Sequence, residues 1–373
     1  MGRFTGHIEV VERVAMERKW LMRTYKDGDE EGIFALWKAV YPNREYDREK
    51  WMRWWRWMYQ DNPAGGGRIW LADHDGKIVG QYPLIFMNIK IKGEIVRASQ
   101  NIDLMTHPDY QHQGIFSTLE RQALDEAEKA KVYITIGFPN EAAHLGHVKS
   151  GWFDIGLMQV MLKPLNWRNV IKLKIKNKLL QRVLATGASL VFNNVFLRTQ
   201  SPPFVEGLNI NQVTSFDDRI NDLWAKASSQ YQIALLRDKD YLNWRYGAPD
   251  AGYSIFVAEK ASEFCGYLVL QYKIQSGVKI SNIFDMVAYS EEVMHCLLSR
   301  AVEDCQRNKA DLVLYSLIAN KTYHRVLKRN GFVSLPFIKG GRFCAYLSSP
   351  SISKEFLSNP QSWCVQLGDS DTI

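Results

Sequence analysis

What this chain has little of sets its limits first. Its five cysteines, Cys265, Cys296, Cys305, Cys344 and Cys364, all lie in the second half, form no Cys-x-x-Cys pair and are odd in number. That pattern argues against a disulfide framework and for a reduced, intracellular setting, with cytoplasm the expected location. No apolar run reaches the ~18 residues that a membrane-spanning helix needs. The first 20 residues carry too many charges for a secretory signal, and Gly6 stands where a myristoylation motif wants Ser or Thr. No His, Cys, Asp and Glu spacing marks a metal, so none is expected. The net charge is +7, and most of it sits in one segment, 163 to 205, which has no acid before Glu206. The remainder is near neutral, and no compact basic, aromatic-interleaved module for nucleic acid is expected.

What is present is most informative between Asn101 and Phe116, where the order reads as a strand that runs through one turn into a helix. Phe116, Leu119, Ala123, Ala127 and Ala130 fall on one helical stripe. The amides of Gln111, His112, Gln113, Gly114, Ile115 and Phe116 would be the unpaired donors of the first turn, a ready seat for a pyrophosphate. Glycine at 114 lets an anion approach the backbone. Taken alone, one glycine between a strand and a helix fits a generic turn equally well.

The downstream residues add to that signal. A β-rich run, Val132 to Phe138, is followed by Pro139 to Trp152, a short helix closed by Gly151. This series resembles the GNAT superfamily of acyl-CoA-dependent N-acetyltransferases. That family reads roughly Leu-x-Val-x-Pro-x-x-Arg/Gln-x-x-Gly-x-Gly/Ala, and later Asn-x-x-Ala-x-x-x-Tyr-x-x-x-Gly-Phe. Here the first is Leu104 to Phe116, with Leu104, Pro108, Gln111 and Gly114 in place, and the second keeps Asn140, Ala143, Gly151 and an aromatic Trp152. Two departures stand out. Phe116 replaces a small residue, which looks closer to the larger tandem-domain branch that includes the Eis-like aminoglycoside acetyltransferases. His147 falls where many members carry the tyrosine that protonates the departing thiolate, a transfer histidine can perform.

The length, 373 residues, predicts two or three domains at ~100–200 residues each. Pro63 to Gly80 and Pro249 to Gly266 both span 17 positions, preceded by Trp57-x-Tyr59 and Trp244-x-Tyr246. Asn140 to Gly151 and Asn320 to Gly331 both span 11 positions, so a tandem duplication is expected. The second copy lacks the glycine and places Glu291 and Glu292 at its helix start, where they would repel a pyrophosphate. It is therefore expected to keep the fold and lack the coenzyme.

The expected fold class is α+β: two tandem GNAT-like domains, each a mixed, mostly antiparallel sheet covered by helices. The divisions are a charged leader at 1–19, a first domain at 20–162 with the acyl-CoA site, a basic linker at 163–209, a degenerate second domain at 210–349 and a C-terminal tail at 350–373. Asp27 to Glu30 resembles a capping box, and Asp75-Gly76 predicts a tight hairpin turn. The interleaved lysines and apolar residues of 163–205 read either as a helix making weak contact with an anionic membrane surface, or as an interdomain helix with solvated lysines. Trp51, Trp54, Trp55 and Met58 follow a helical stripe that predicts a buried face, with Trp57 off it and free to line a cleft.

The resemblance implies a mechanism. Acetyl-CoA or another acyl-CoA would place its pyrophosphate on the amides of 111–116 and its pantetheine alongside Leu104, Met105 and Thr106, with Asn140 holding the pantetheine. An amide near Met105 or Thr106 would hold the oxyanion, a primary amine of a small-molecule acceptor would attack directly, and His147 would protonate the sulfur. Asp103 lies where family members often place the carboxylate that takes the amine proton; a structural aspartate fits as well, since Asp285 holds the matching place in the second copy. Two rival classes remain: an aminoacyl-tRNA-dependent transferase of the FemAB-like type, and a non-catalytic binding protein that kept the fold. The acceptor and the oligomeric state are not legible.

Overall fold

The structure, a computed structural model, describes residues 20–45, 47–170, 200–318, 320–349 and 352–371. The leader and most of the basic segment, with the membrane-surface reading attached to it, lie outside the described residues. The front half begins with a sheet set by its turns. Strands β2 (Gly67–His74) and β3 (Lys77–Ile91) are joined through Asp75 and Gly76, at φ 51° and 84°, as a two-residue turn of left-handed residues requires. Strand β1 (Leu21–Thr24) pairs outside β2, β4 (Glu94–Asn101) pairs on the far side of β3, and β6 (Ile134–Gly137) runs parallel to β4.

Period-two alternation divides the side chains of β2 between two cores. Ile69 and Leu71 pack with helices α1 (Glu30–Val40) and α2 (Arg48–Tyr59), while Trp70 and Ala72 pack with α3 (Ile115–Lys129) through Leu119, Ala123 and Ala127. The tryptophan stripe behaves as its spacing predicts: Trp51, Trp55 and Met58 are buried and Trp54 is partly so. The expected cap at Asp27 to Glu30 does not form. Asp29 precedes α1, but its carboxylate accepts two bonds from Arg23 and one from the Lys26 amide.

The two halves are not separable sheets. After helix α4 (Glu141–Lys149), strand β7 (Phe153–Pro164) leaves its own half and pairs through Gln159 to Pro164 with β13 (Leu312–Leu317) of the rear. In return β14 (Val333–Leu347) pairs through Cys344 to Leu347 with β6 of the front. The rear strands are β8 (Leu208–Val213), β10 (Tyr253–Lys260), β11 (Glu263–Gln275) and β12 (Val278–Ala288), giving one continuous order, β1-β2-β3-β4-β6-β14-β7-β13-β12-β11-β10-β8. The division drawn between 162 and 163 therefore falls inside β7. Rear helices α5 (Arg219–Ala227), α6 (Lys239–Tyr246), α7 (Glu291–Arg307) and α8 (Lys321–Arg329) complete the halves. Trp57 does not line a cleft. It stacks 4.9 Å from Trp244, each indole donating to the other's backbone carbonyl, which places the two repeat landmarks face to face between the halves.

The reading of 350–373 as a tail is also corrected. Strand β15 (Trp363–Cys364) pairs with β9 (Ile233–Leu235), which pairs in turn with β3, and Trp363, Gln366 and Asp369 are buried. The anchor is Arg237, fully buried, whose guanidinium donates to Asp285 and to Asp369, the latter 132 positions away. Replacing Arg237 with leucine would leave two buried carboxylates without their cation, and such a loss costs about 3–5 kcal/mol. Urea unfolding should show that drop for Arg237→Leu, and a difference below about 1 kcal/mol would contradict the reading.

Candidate active site

A wedge opens where two paired strands part. β4 and β6 stay in register up to Asn101 opposite Gly137. Beyond that point Asp103 turns into the left-handed region at φ 47°, and a short strand β5 (Met105–Thr106) returns to β3 opposite Gln81 and Gly80, leaving β6 behind. The gap widens into a cleft of about 990 Å³ flanked by the start of α3 and by α4. Its opening needs glycine at 80, because a side chain there would collide with Ile115 in the first turn of α3. The His107 amide donates to Val79, so strand alternation turns the polar groups of Met105 toward β3 and those of Thr106 toward the cleft.

The start of α3 points its donors into this space. Gly114 is its N-cap at φ 76°, no acid occupies the first turn, and the first bond of the turn runs from the Thr118 amide to the Gly114 carbonyl. The donor set differs slightly from the expected one. The Gln111 amide is spent on Pro108 at 3.4 Å, so the open amides run from His112 through Gly114, Ile115 and Phe116 to Ser117. The Gln113 side chain turns back to the Asp109 carbonyl, away from the cleft wall. Arg121 and Lys149 add two cations to that wall.

Phe116 is accommodated rather than disruptive. A methyl group on Gly146 of α4 would run into its ring, so the bulky residue on one helix is matched by a glycine on the next. The same packing changes the role of His147. Its ring is 1% exposed, lies 4.3 Å from Trp152 and 5.4 Å from Phe116, and does not line the cleft. Its Nδ1 shares a hydrogen bond with Glu120, a fully buried carboxylate that also accepts from Tyr82 and Ser150. The expectation that His147 hands a proton directly to a sulfur is therefore corrected: α4 turns the ring inward to satisfy Glu120, and only Ser150 of this network reaches the cleft.

Asp103 adjoins the cleft-lining Leu104 and is not itself among the lining residues. Tyr59 donates to its carboxylate at 2.9 Å, Gln81 donates to its backbone carbonyl, and among the described residues no cation pairs with it. Burial, reinforced by the nearby Asp371 carboxylate, pushes its pKa up to about 7. Asn140 lines the cleft, yet its side chain oxygen is committed to the Ala143 amide as the cap of α4. Asn320 caps α8 in the same manner, so the shared asparagine is explained by capping in both halves.

The matching corner of the rear half is closed. Ser290 caps α7 with its own side chain, and Glu291 in the first turn pairs with Arg325 and Arg329. Between β12 and β13, where the front strands part, the C-terminal segment is inserted. Ile318 donates to Val365, and the Gln366 amide group bonds both the N–H and the C=O of Met286. Asp285 faces Arg237 here, so this carboxylate is neutralised where Asp103 is not.

Gly146→Ala should destabilise the protein by about 1–3 kcal/mol through overpacking against Phe116. Thermal unfolding of the Phe116→Ala/Gly146→Ala pair should recover most of the added cost; equal costs in both backgrounds would refute the match.

Residues 22–152 match the profile of the Acetyltransferase (GNAT) domain. No curated protein sequence matches the chain. Among solved structures, a GCN5-related N-acetyltransferase from Anabaena variabilis is similar at a TM-score of 0.64 and 12% identity, over 88% of this chain and 73% of that one. A probable N-acyltransferase from Enterococcus faecalis gives 0.62 and 10%, over 88% and 72%. The Saccharomyces cerevisiae N-myristoyltransferase with bound myristoyl-CoA gives 0.57 and 11%, over 89% and 78%. At such identities the shared property is the fold. The front of this chain, with its parted strands and open helix start, is thus similar over residues 22–152 to a GNAT acetyltransferase domain.

Proposed function

We propose that this chain is an N-acyltransferase that moves an acyl group, in the simplest case acetyl, from acyl-CoA to a primary amine. The observation that carries the reading is the contrast between its two corners. The front one opens between β5 and β6 below a helix start with unoccupied amides and no acid, while the rear one is capped, acidic and filled. A diphosphate requires the first environment and is repelled by the second.

In this reading the coenzyme diphosphate rests on the amides of His112 to Ser117, with Arg121 and Lys149 balancing its charge. The pantetheine lies along β5 as an added strand, meeting the backbone of Leu104 and Thr106. The Thr106 N–H polarises the thioester carbonyl and holds the oxyanion of the tetrahedral intermediate. The amine nitrogen attacks that carbon, Asp103 accepts the proton the nitrogen loses, and the C–S bond breaks to release the thiolate. Asp103 suits the task because a carboxyl with a pKa of about 7 is both ionised and basic near neutral pH. His147 acts at a distance, holding Glu120 and through it the Ser150 hydroxyl.

Isothermal titration with CoA tests the seat. Gly114→Glu should weaken binding at least ~100-fold, since it adds a side chain at a left-handed position and a charge beside the diphosphate. A wild-type protein that takes up no CoA would end the proposal. With acetyl-CoA and an amine found by a thiol-release screen, kcat should rise with pH through a limb centred near 7, as Asp103 loses its proton. Asp103→Asn should remove that limb and lower kcat ~10²-fold or more; an unchanged limb would exclude Asp103 as the base.

A further inference from the structure

One groove in the rear half belongs to neither corner. Helix α8 packs inward through Tyr323, Val326 and Leu327, which are buried in the rear core. Lys321, His324, Arg325 and Lys328 therefore share its opposite face, at i, i+3, i+4 and i+7. That face borders a groove of about 420 Å³, which Gln159 of β7 and Gln361 of the 3₁₀ turn at Pro360–Ser362 also line. Three stretches far apart in the chain thus converge on one concave surface.

The charge of the groove is not balanced. Arg325 Nη1 meets Glu291, but among the described residues Lys321 and Lys328 have no acid partner and no carboxylate lines the groove. Like charges three and four positions apart on a helix repel one another, so this face is held positive against its own interest. Two polar atoms are also left over: His324 Nε2 and Gln159 Oε1 are buried with no hydrogen-bond partner among the described residues. Native structures keep few such atoms, because each costs its full desolvation. An ordinary solvated basic face would explain the lysines, but it would be convex and would bury no unpaired acceptor. The helix start contributes nothing here, since the Asn320 side chain takes the Thr322 and Tyr323 amides and its carbonyl takes the His324 amide. A ligand in this groove is met by side chains, unlike the anion seat at the front.

We propose that the groove is a second ligand site for a small organic phosphate monoester that carries a hydroxyl group. The phosphate lies among Lys321, Arg325 and Lys328 and accepts from His324, while the hydroxyl donates to Gln159 Oε1. Burial and the neighbouring Lys328 hold the His324 pKa below the usual imidazole value, so near neutral pH the ring is uncharged and has one N–H to offer. Three cations and that N–H exceed what the two oxygens of a carboxylate can occupy, and they suit the three acceptor oxygens of a phosphate monoester. Arg325 serves both partners, because its five N–H groups outnumber the bonds that Glu291 takes. The volume lies toward the small end of the range for ligand pockets, roughly 300–1,000 Å³, as a molecule of this size requires. The site is separate from the front cleft and does not rest on the acyltransferase reading.

Isothermal titration of the full-length protein with glycerol 3-phosphate, and with methyl phosphate, which lacks the hydroxyl, tests the proposal. Wild type should bind glycerol 3-phosphate, and methyl phosphate about 2- to 10-fold more weakly, the worth of one neutral hydrogen bond. Lys321→Glu/Lys328→Glu changes two exposed positions and leaves the core alone; it should keep the wild-type Tm and weaken glycerol 3-phosphate ~100-fold or more. Gln159→Leu should erase the preference between the two phosphates while methyl phosphate binds within about twofold of wild type. Gly114→Glu, which blocks the front seat, should leave glycerol 3-phosphate binding unchanged. No uptake of glycerol 3-phosphate by wild type, or undiminished affinity in the charge-reversed protein, would overturn the proposal. So would loss of binding in Gly114→Glu, which would put the anion at the front helix start, or an unaltered preference in Gln159→Leu.

Discussion

The exchange of β7 and β14 is the constraint on which the rest of this structure depends. Strand β14 stands between β6 and β7, so the front sheet is completed by a strand encoded in the rear. β7 does the same service in the other direction. The lower edge of the wedge, β6, is thereby held in place on one side by β4 and on the other by a strand that belongs to the opposite repeat. Because an unpaired edge inside such a sheet would expose a row of backbone donors and acceptors, neither half has a reason to exist alone. A cleft formed by two parting strands needs both of them held from behind, and here the rear half supplies part of that support.

The same logic explains how two aspartates at matching positions acquire different chemistry. Asp103 and Asp285 both lie where the strand after the meander leaves its neighbour. Asp285 receives Arg237 and a hydroxyl from Tyr267 and becomes part of a buried ion network. Among the described residues, Asp103 receives only the hydroxyl of Tyr59 and the repulsion of a second carboxylate. A single cation thus separates a structural carboxylate from one able to exchange protons near neutral pH. The closed rear corner and the open front one are two outcomes of one fold, decided by a handful of side chains.

Much of the front site was legible because it is local. The turn at Asp75-Gly76, the helix start at Gly114 and the stripe of α3 all follow from residues a few positions apart, and the acids at 291 and 292 marked the closed corner by charge alone. The landmarks Trp57 and Trp244 were read as a repeat, and the structure adds that they touch. What escaped was nonlocal. Nothing in the sequence pairs Gly146 with Phe116, so the large residue stands there only as a departure from the motif. Nothing joins Arg237 to Asp369, so an ordered strand passed for a tail. His147 was given a chemical role from its place in a motif, whereas its orientation is set by Glu120, a buried acid one helix away that no spacing rule connects to it. The Gln111 amide was miscounted because the 3₁₀ turn at Pro108–Tyr110 consumes it.

The exchanged strand also bears on how the molecule is made. Cys344 of β14 donates to the carbonyl of Gly137 in β6 across 207 positions of sequence. During synthesis the front half emerges first but waits with β6 half-paired until the rear has been translated, since its missing neighbour β14 is encoded there. Contacts so distant along the chain slow folding and lengthen the exposure of the open edge. A nascent chain of this kind would carry a complete helix start and an incomplete sheet, so the anion seat would acquire its rigid floor only once the rear half has been made.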